Sequence, residues 1–363
     1  MEQTQELYHE PPEAGNRYRE QFLSQVLALI EREFQEADDR RTVFFQPDVS
    51  SPVSYEASLG PYRQRLRAML GWPLTLPAAS SLPSVRELSV GEDALGRIMR
   101  MWIEVVPGLE TYGLLFLPHG AGPHALVISQ HGGGGTPELC SDFFGSANYN
   151  DMSRRVLRQG IAVFAPQLLR WTETFGAPHD FLQIDRWMKQ LGGSLAALEL
   201  LCLQRSVDAL AARPDIDASR IGMIGLSYGG FHTLFAAALD TRIRVAISSC
   251  FFSNRRTYAW GDWVWKDAAS HFFDAEVAAL VCPRWLYVEV GARDELFDVR
   301  LAEPEAEKVR AVFTRLGIPE RFVFRQHPGG HELGTSSEPI TFLSRQLGCG
   351  QPSADAAAAA RSG

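Results

Sequence analysis

The stretch from Arg220 to Phe231, RIGMIGLSYGGF, constrains this chain more than any other. Its centre, Gly225-Leu226-Ser227-Tyr228-Gly229, is a G-x-S-x-G. Ile221 to Ile224 is short, apolar and partly β-branched, which predicts a buried strand. Gly230 to Leu239 is rich in Ala, Leu and Phe and predicts a helix. A strand that turns sharply into a helix on a serine is the setting of a nucleophile elbow. The flanking glycines remove the Cβ atoms that would clash in so tight a turn. The turn lifts the Ser227 hydroxyl above a sheet and aims backbone N–H groups at the same point.

At 363 residues and 45% hydrophobic content, the chain can fill one large α/β domain with additions. Its net charge of -8 argues against nucleic acid as a partner, because phosphate binding wants a basic face. No apolar run approaches the length of a membrane span. The opening residues hold no basic and then apolar stretch of the secretory kind, and a cytoplasmic protein is expected. Five scattered cysteines, Cys140, Cys202, Cys250, Cys282 and Cys349, read as buried or incidental thiols and not as a disulfide frame.

Residues 1–83 read as a helical extension. Phe22, Val26, Leu27, Ile30 and Phe34 set a helical spacing over Tyr18 to Phe34, and Tyr62 to Leu70 gives a second helix ending at Gly71. Pro47, Ser50, Ser51 and Pro52 mark a loop between them. The extension could cover a site, pad the core or pair two subunits as a homo-oligomer. Residues 84–349 change to strands: Val85–Val90, Arg97–Val105, Thr111–Leu117, Ala125–Gln130, Ile161–Ala165, Val245–Ser248, Trp285–Val290 and Arg321–Arg325 join the elbow strand. Helical segments at Asp151–Gln159 and Ser194–Ala212 alternate with them. Such alternation implies a mostly parallel sheet covered on both faces. Residues 350–363, with their run of alanines, read as a disordered tail.

His131-Gly132-Gly133-Gly134-Gly135 follows a buried strand directly. Glycine lets bare N–H groups approach the oxygen on which charge develops during acyl transfer. Gly133 and Gly134 are therefore candidate oxyanion donors beside the N–H of Tyr228. His131 reads as a structural histidine ordering this loop. A phosphate loop is the rival, but no Gly-Lys-Ser/Thr follows at its spacing. Downstream, His327 and His331 lie beyond the last strand in QHPGGHE, and His331, after two glycines, is favoured as the base. The acid that orients it is sought after Trp285–Val290, where Asp294 comes first and Glu295 and Asp298 compete. The order Ser227, Asp294, His331 is that of the α/β-hydrolases. No cofactor is required. His119, His124 and His131 do not share a metal-ligand spacing, so no metal is expected.

Together, GLSYGG at the elbow, the glycine run after His131, Gly291-x-x-Asp294 and Gly330-His331 resemble the α/β-hydrolase superfamily. Within it the chain is similar to the dienelactone hydrolase-like and acetyl xylan esterase-like serine hydrolases, over roughly residues 85–348. The resemblance implies an α/β-hydrolase fold with an eight-stranded, mostly parallel sheet and helices on both faces. It also implies hydrolysis of a small carboxylic ester through an acyl-enzyme. Dienelactone hydrolases proper use a cysteine nucleophile, which Ser227 replaces here. Hormone-sensitive-lipase relatives share the His-Gly-Gly-Gly run but carry Gly-Asp-Ser-Ala-Gly at the elbow.

The segment Phe251–Trp265 follows the strand after the elbow. Trp260, Trp263 and Trp265, with Tyr258, could wall a pocket for sugar or aryl groups, or pack a core. Arg255 and Arg256 could hold a substrate carboxylate, and Arg170-Trp171 could line the mouth. Asp180 and Asp185 read as solvated acids. Two other activities share the pattern: a prolyl-oligopeptidase-type peptidase, for whose propeller the first 80 residues are too few, and an inactive binding protein on the same fold.

Overall fold

The computed structural model describes residues 7–349. Nine strands form one sheet: β1 (Val85–Asp93), β2 (Gly96–Val106), β3 (Leu109–Pro118), β4 (His124–Gln130), β5 (Ala162–Pro166), β6 (Ile216–Leu226), β7 (Ile243–Ser249), β8 (Trp285–Gly291) and β9 (Phe322–His327). The α-helices are α1 (Asn16–Phe44), α2 (Pro52–Ser58), α3 (Gly60–Leu70), α4 (Pro137–Cys140), α5 (Met152–Leu157), α6 (Phe181–Gln190), α7 (Leu195–Ala211), α8 (Tyr228–Leu239), α9 (Asp274–Ala279), α10 (Val299–Arg315) and α11 (Glu338–Gln346). No helix among the described residues is long and apolar enough to cross a membrane.

The strand order is β1-β2-β3-β5-β4-β6-β7-β8-β9. Strands β1, β2 and β3 form an antiparallel meander, and β3 joins β5 antiparallel. From β5 to β9 every pairing is parallel. The sheet thus has nine strands where the family resemblance implies eight. The whole lead-in meander pairs into the main sheet through β3, so each strand read from the sequence has its place in it.

The central strands are buried on both faces, which is why their sequences are continuous apolar runs and not alternations. On one face α5 and α11 pack together over Val127, Val163, Val245, Ile247 and Tyr287. On the other, α8 lies along β6 and β7 and is flanked by α3, α7 and α9. Every residue of α8 from Tyr228 to Leu239 is buried. The register Gln130↔Gly225, Leu226↔Ser249 and Ser249↔Glu289 brings the carboxyl ends of β4, β6, β7 and β8 into line. Loops leaving such an edge are where ligands bind in open α/β sheets.

The chain divides into two compact units, one holding the residues up to Gln46 with Ala269–His271, the other Pro47–Ala268 with Phe272 onward. Residues 47–83, read from the sequence as part of the extension, belong to the larger unit. Tyr55, Leu59, Leu66 and Leu70 are fully buried there. The Arg63 guanidinium donates to the Ala238 and Leu280 carbonyls at 3.0 and 3.1 Å. The loop expected near Pro52 turns into α2, with the Ser51 hydroxyl accepting from the Ser54 N–H as its N-cap. In the smaller unit α1 runs to Phe44, well past the expected Phe34. Its Arg40 donates to the Ser270 hydroxyl, and the Phe44 and His271 rings meet edge-on at 4.6 Å. The expected disordered tail, 350–363, lies outside the described residues.

Tight packing at the β6–α8 turn yields a stability prediction. A Cβ at Gly229 would overlap the Gln130 carbonyl at the end of β4. Gly229→Ala should lower the unfolding free energy by about 2–4 kcal/mol, as overpacking against backbone does. A urea melt followed by circular dichroism checks it, and an unchanged midpoint would contradict the packing described.

Candidate active site

Ser227 has φ +59° and ψ −119°, a backbone that side-chain-bearing residues rarely adopt. Its N–H donates to the Ser249 carbonyl on β7 at 2.9 Å, and its carbonyl accepts from Phe231 within α8. Gly225 passes so close to the Gly229 carbonyl that no side chain fits. The G-x-S-x-G is therefore the sharp strand-to-helix turn expected of it, held from both sides.

The glycine run after β4 lies against this turn. A Cβ on Gly132 would sit 3.1 Å from the Ser227 Cβ, and one on Gly133 would sit 3.0 Å from the Tyr228 ring. The Gly132 N–H donates to the Tyr149 hydroxyl at 2.9 Å. The Gly134 N–H donates to the Arg170 carbonyl, which removes it from the two glycines offered as oxyanion donors. Among the described residues, the N–H groups of Gly133 and Tyr228, the other two candidate donors, meet no acceptor. His131 is fully buried. Its Nε2 accepts from the Leu168 N–H at 3.0 Å while its Nδ1 faces the Gly132 carbonyl at 2.8 Å. Burial pushes its pKa down to about 4, so the neutral ring orders the loop and is unsuited to act as base.

His331 and Asp294 meet across the loops that leave β9 and β8. His331 Nδ1 lies 2.9 Å from Asp294 Oδ2, with the imidazole 22% exposed and the carboxylate fully buried. The other carboxylate oxygen accepts from the Leu296 and Phe297 N–H groups at 2.9 and 3.1 Å. Burial alone would raise the Asp294 pKa, but the His331 contact and these N–H groups outweigh it and lower it. The pairing fixes Nδ1–H on the imidazole and leaves Nε2 as a free base. Of the competing acids, Glu295 is exposed and Asp298 caps α10 while pairing with Arg300. His327 accepts from the Gly329 N–H through Nδ1 and is nearly buried, a structural placement. Asn148 and Asn150 donate to the His331 and Leu333 carbonyls at 3.0 and 2.6 Å, tying the base-bearing loop to the segment whose Tyr149 holds Gly132.

Cys250, read from the sequence as a buried or incidental thiol, is buried and lies against this pair. It directly follows Ser249 at the end of β7 with φ +47°. Its Sγ, an Asp294 oxygen and a His331 nitrogen all lie within 4.8 Å of one another. These are donor types that zinc takes, but a metal needs the thiolate. Burial first, and the Asp294 charge second, push the Cys250 thiol well above its ordinary range. The thiol itself sits 3.2 Å from the Glu332 carbonyl, which it meets as a donor. A protonated thiol among carbonyls suits packing behind the acid–base pair better than it suits a metal.

A buried polar network, not anticipated from the sequence, surrounds Tyr228. The Arg170 guanidinium lies 3.8 Å from the Tyr228 ring centre, 2.8 Å from Asp262 and 3.4 Å from Glu199. Glu199 also lies 3.0 Å from His232, whose Nδ1 is 2.7 Å from the Tyr228 carbonyl. Burial would raise the Glu199 carboxyl, yet Arg170, His232 and the Leu169 N–H hold it down at about 2. Arg170 is thus an interior cation beneath the glycine loop and not a mouth residue; only its neighbour Trp171 is part-exposed. Asp180 caps α6. Asp185, read as solvated, is buried and accepts from the Leu195 N–H at 2.9 Å.

Most of the aromatic wall proves to be core. Trp263 is fully buried, with its ring 4.4 Å from that of Tyr228 and 5.2 Å from that of Phe231. Trp265 stacks on Phe231 and lies tilted against Phe235, also buried. Arg255 is buried against Asp274 at 2.6 Å and donates to the Trp263 carbonyl, so it has no reach to a substrate carboxylate. Trp260 differs: half-buried, it stacks on Phe297 at 5.5 Å, and Phe297 stacks on His331 at 5.8 Å. Of the four residues offered as pocket wall, Trp260 alone is part-exposed, and through Phe297 it leads to His331.

Comparison with known proteins agrees with this architecture. Residues 139–257 match the model of the dienelactone hydrolase family, a span that includes Ser227 but neither Asp294 nor His331. The chain thus has an α/β-hydrolase fold in which residues 139–257 resemble a dienelactone hydrolase family domain. A curated relative, "Putative hydrolase YtaP" of Bacillus subtilis, is 28% identical over 171 residues, 44% of this chain and 54% of that protein. The chain thus aligns with about half the length of that relative. Among solved structures, a "putative acetyl xylan esterase" from Bacteroides fragilis superposes with TM-score 0.64 at 15% identity, covering 82% of this chain and 84% of the other. A glucuronoyl esterase from Solibacter usitatus superposes with TM-score 0.62 at 16% identity, covering 82% and 94%.

The packing and chemistry of the interior give two expected outcomes. Trp263→Ala should cost about 3–5 kcal/mol of stability, as removal of a buried tryptophan does, whereas a pocket wall would lose far less. His131 has a folded pKa below its unfolded one, so its stabilisation is complete above about pH 6.5 and is lost as pH falls towards its folded value. Between pH 7.5 and 4.5 the wild type should lose about 2–3 kcal/mol that His131→Gln does not lose. Urea midpoints at both pH values measure this, and parallel losses in the two proteins would contradict the assignment.

Proposed function

We propose that the chain is a serine esterase that cleaves a small carboxylic ester through an acyl-enzyme. The observation that carries this reading is a strained serine at the β6–α8 turn together with a histidine–carboxylate pair on the loops that leave β9 and β8 of the same sheet. Ser227 Oγ attacks the ester carbonyl while His331 Nε2 takes its proton. Asp294 holds the imidazole tautomer and stabilises the imidazolium. The tetrahedral oxyanion rests on the N–H groups of Tyr228 and Gly133. As the carbon–oxygen bond to the alcohol breaks, His331 gives its proton to the leaving oxygen. Water, deprotonated by the same imidazole, then attacks the acyl-serine, and the released Ser227 regains a proton as the acid departs.

The named solved structures are a putative acetyl xylan esterase and a glucuronoyl esterase, which supports a sugar ester as the substrate class. Trp260, part-exposed and stacked towards His331 through Phe297, supplies a flat aromatic face suited to a sugar ring.

Turnover of p-nitrophenyl acetate and of an acetylated xylo-oligosaccharide tests the proposal, with a proline-containing peptide as the contrast. Ser227→Ala and His331→Ala should each lower kcat by roughly 10³-fold or more, and Asp294→Asn should lose a comparable order. Trp260→Ala should raise KM for the sugar ester several-fold while leaving p-nitrophenyl acetate turnover near wild type. Peptide cleavage without ester cleavage would overturn the reading.

A further inference from the structure

We propose that α1 is a dimerisation helix that pairs antiparallel with α1 of a second copy of this chain. Along α1 the residues Arg19, Leu23, Val26, Ile30 and Glu33 follow one another at alternating spacings of four and three. That is the spacing of a helix seam, which brings all five onto one stripe. Phe22 and Leu27 flank the stripe. Phe22, Leu23, Leu27 and Ile30 are 69, 57, 57 and 45% exposed. Four large apolar side chains uncovered over fewer than three turns of helix form a contiguous patch of the kind that marks an interaction surface. The only buried residues of α1, Ala37 and Arg41, lie nearer its C-terminal end.

The charges that close the stripe select the occupant. Val26 lies midway between Arg19 at one end and Glu33 at the other. An antiparallel two-fold through Val26 sets Arg19 of each copy opposite Glu33 of its mate, so both ends are complementary at once. A parallel pair would set Arg19 on Arg19 and Glu33 on Glu33. Among the described residues Arg19 has no carboxylate partner; it donates to Asn16 and to the Pro12 carbonyl. Glu33 lies 4.0 Å from Arg40, both well exposed, a contact that leaves its carboxylate open to a second cation. A patch that is apolar in the middle and oppositely charged at its ends is complementary to itself when reversed. A foreign partner would have to reproduce that pattern.

The test is light scattering of the full chain over a concentration series, with ester hydrolysis measured in parallel. Wild type should give twice the chain mass, and Leu23→Lys/Ile30→Lys should give a monomer that still folds by circular dichroism. Glu33→Arg should weaken the dimer about tenfold in Kd, and Arg19→Glu/Glu33→Arg should restore it. That rescue belongs to the antiparallel pairing, since a parallel pair gains nothing from the exchange. A monomeric wild type, a dimer that survives the double lysine variant, or failure of the charge exchange to restore affinity would each overturn the proposal. None of the four substituted residues belongs to the Ser227 site, so hydrolysis reports on that site independently.

Discussion

The backbone of Ser227 is the constraint on which the site depends. A residue held at φ +59° costs of order 1–3 kcal/mol, and it persists only where its surroundings leave no alternative. Here β7 takes its N–H, α8 takes its carbonyl, and the flanking glycines are pressed against the neighbouring carbonyls of Gly229 and Gln130. Because α8 is buried along its whole length, the turn cannot relax without dragging a core helix with it. The strain therefore places one hydroxyl and the first free N–H of a helix at a single point above the sheet.

Strand register then brings the remaining groups to the same edge. Parallel pairing from β4 to β9 ends the strands in line, and the loops leaving that edge carry the groups of the proposed mechanism: the glycine run after β4, Ser227 after β6, Asp294 after β8 and His331 after β9. The charged groups beneath lie within ion-pair distance of one another. Arg170, Glu199, Asp262 and His232 place two acids and a fixed cation around Tyr228 where solvent does not reach. Removing one member of such a set leaves a charge buried and unpaired, which costs far more than the contact itself contributes. The network thereby holds in place Tyr228, the residue that follows Ser227.

Much of this was legible in the sequence because it rests on local rules. Central strands announce themselves as short β-branched runs, the elbow as two glycines around a serine, and the Asp294–His331 contact as polar residues just past predicted strand ends. What failed was whatever depends on contacts distant along the chain. A tryptophan in a core and one in a pocket wall look alike in sequence, so Trp263 and Trp265 were indistinguishable from Trp260 until their neighbours were in place. Gly134 has the same composition signal as Gly133, and only its bond to the Arg170 carbonyl separates them. Cys250 and the Arg170 network gave no motif, since their partners come from strands and helices far apart in number. The end of the N-terminal extension was misplaced because α2 and α3 are amphipathic helices like any other. Their burial is decided by α7 and α8 for α3 and by α9, where Tyr55 meets the Ala279 carbonyl, for α2, all more than a hundred residues away.

The central claim is that Ser227 is a nucleophile activated by His331 and oriented through Asp294. Intact mass spectrometry after treatment with a fluorophosphonate, followed by peptide mapping, tests it most directly. The account predicts one adduct per chain, located on Ser227, with the rate of labelling greatly reduced in His331→Ala. An adduct on another residue, or a wild-type chain that resists labelling, would contradict it.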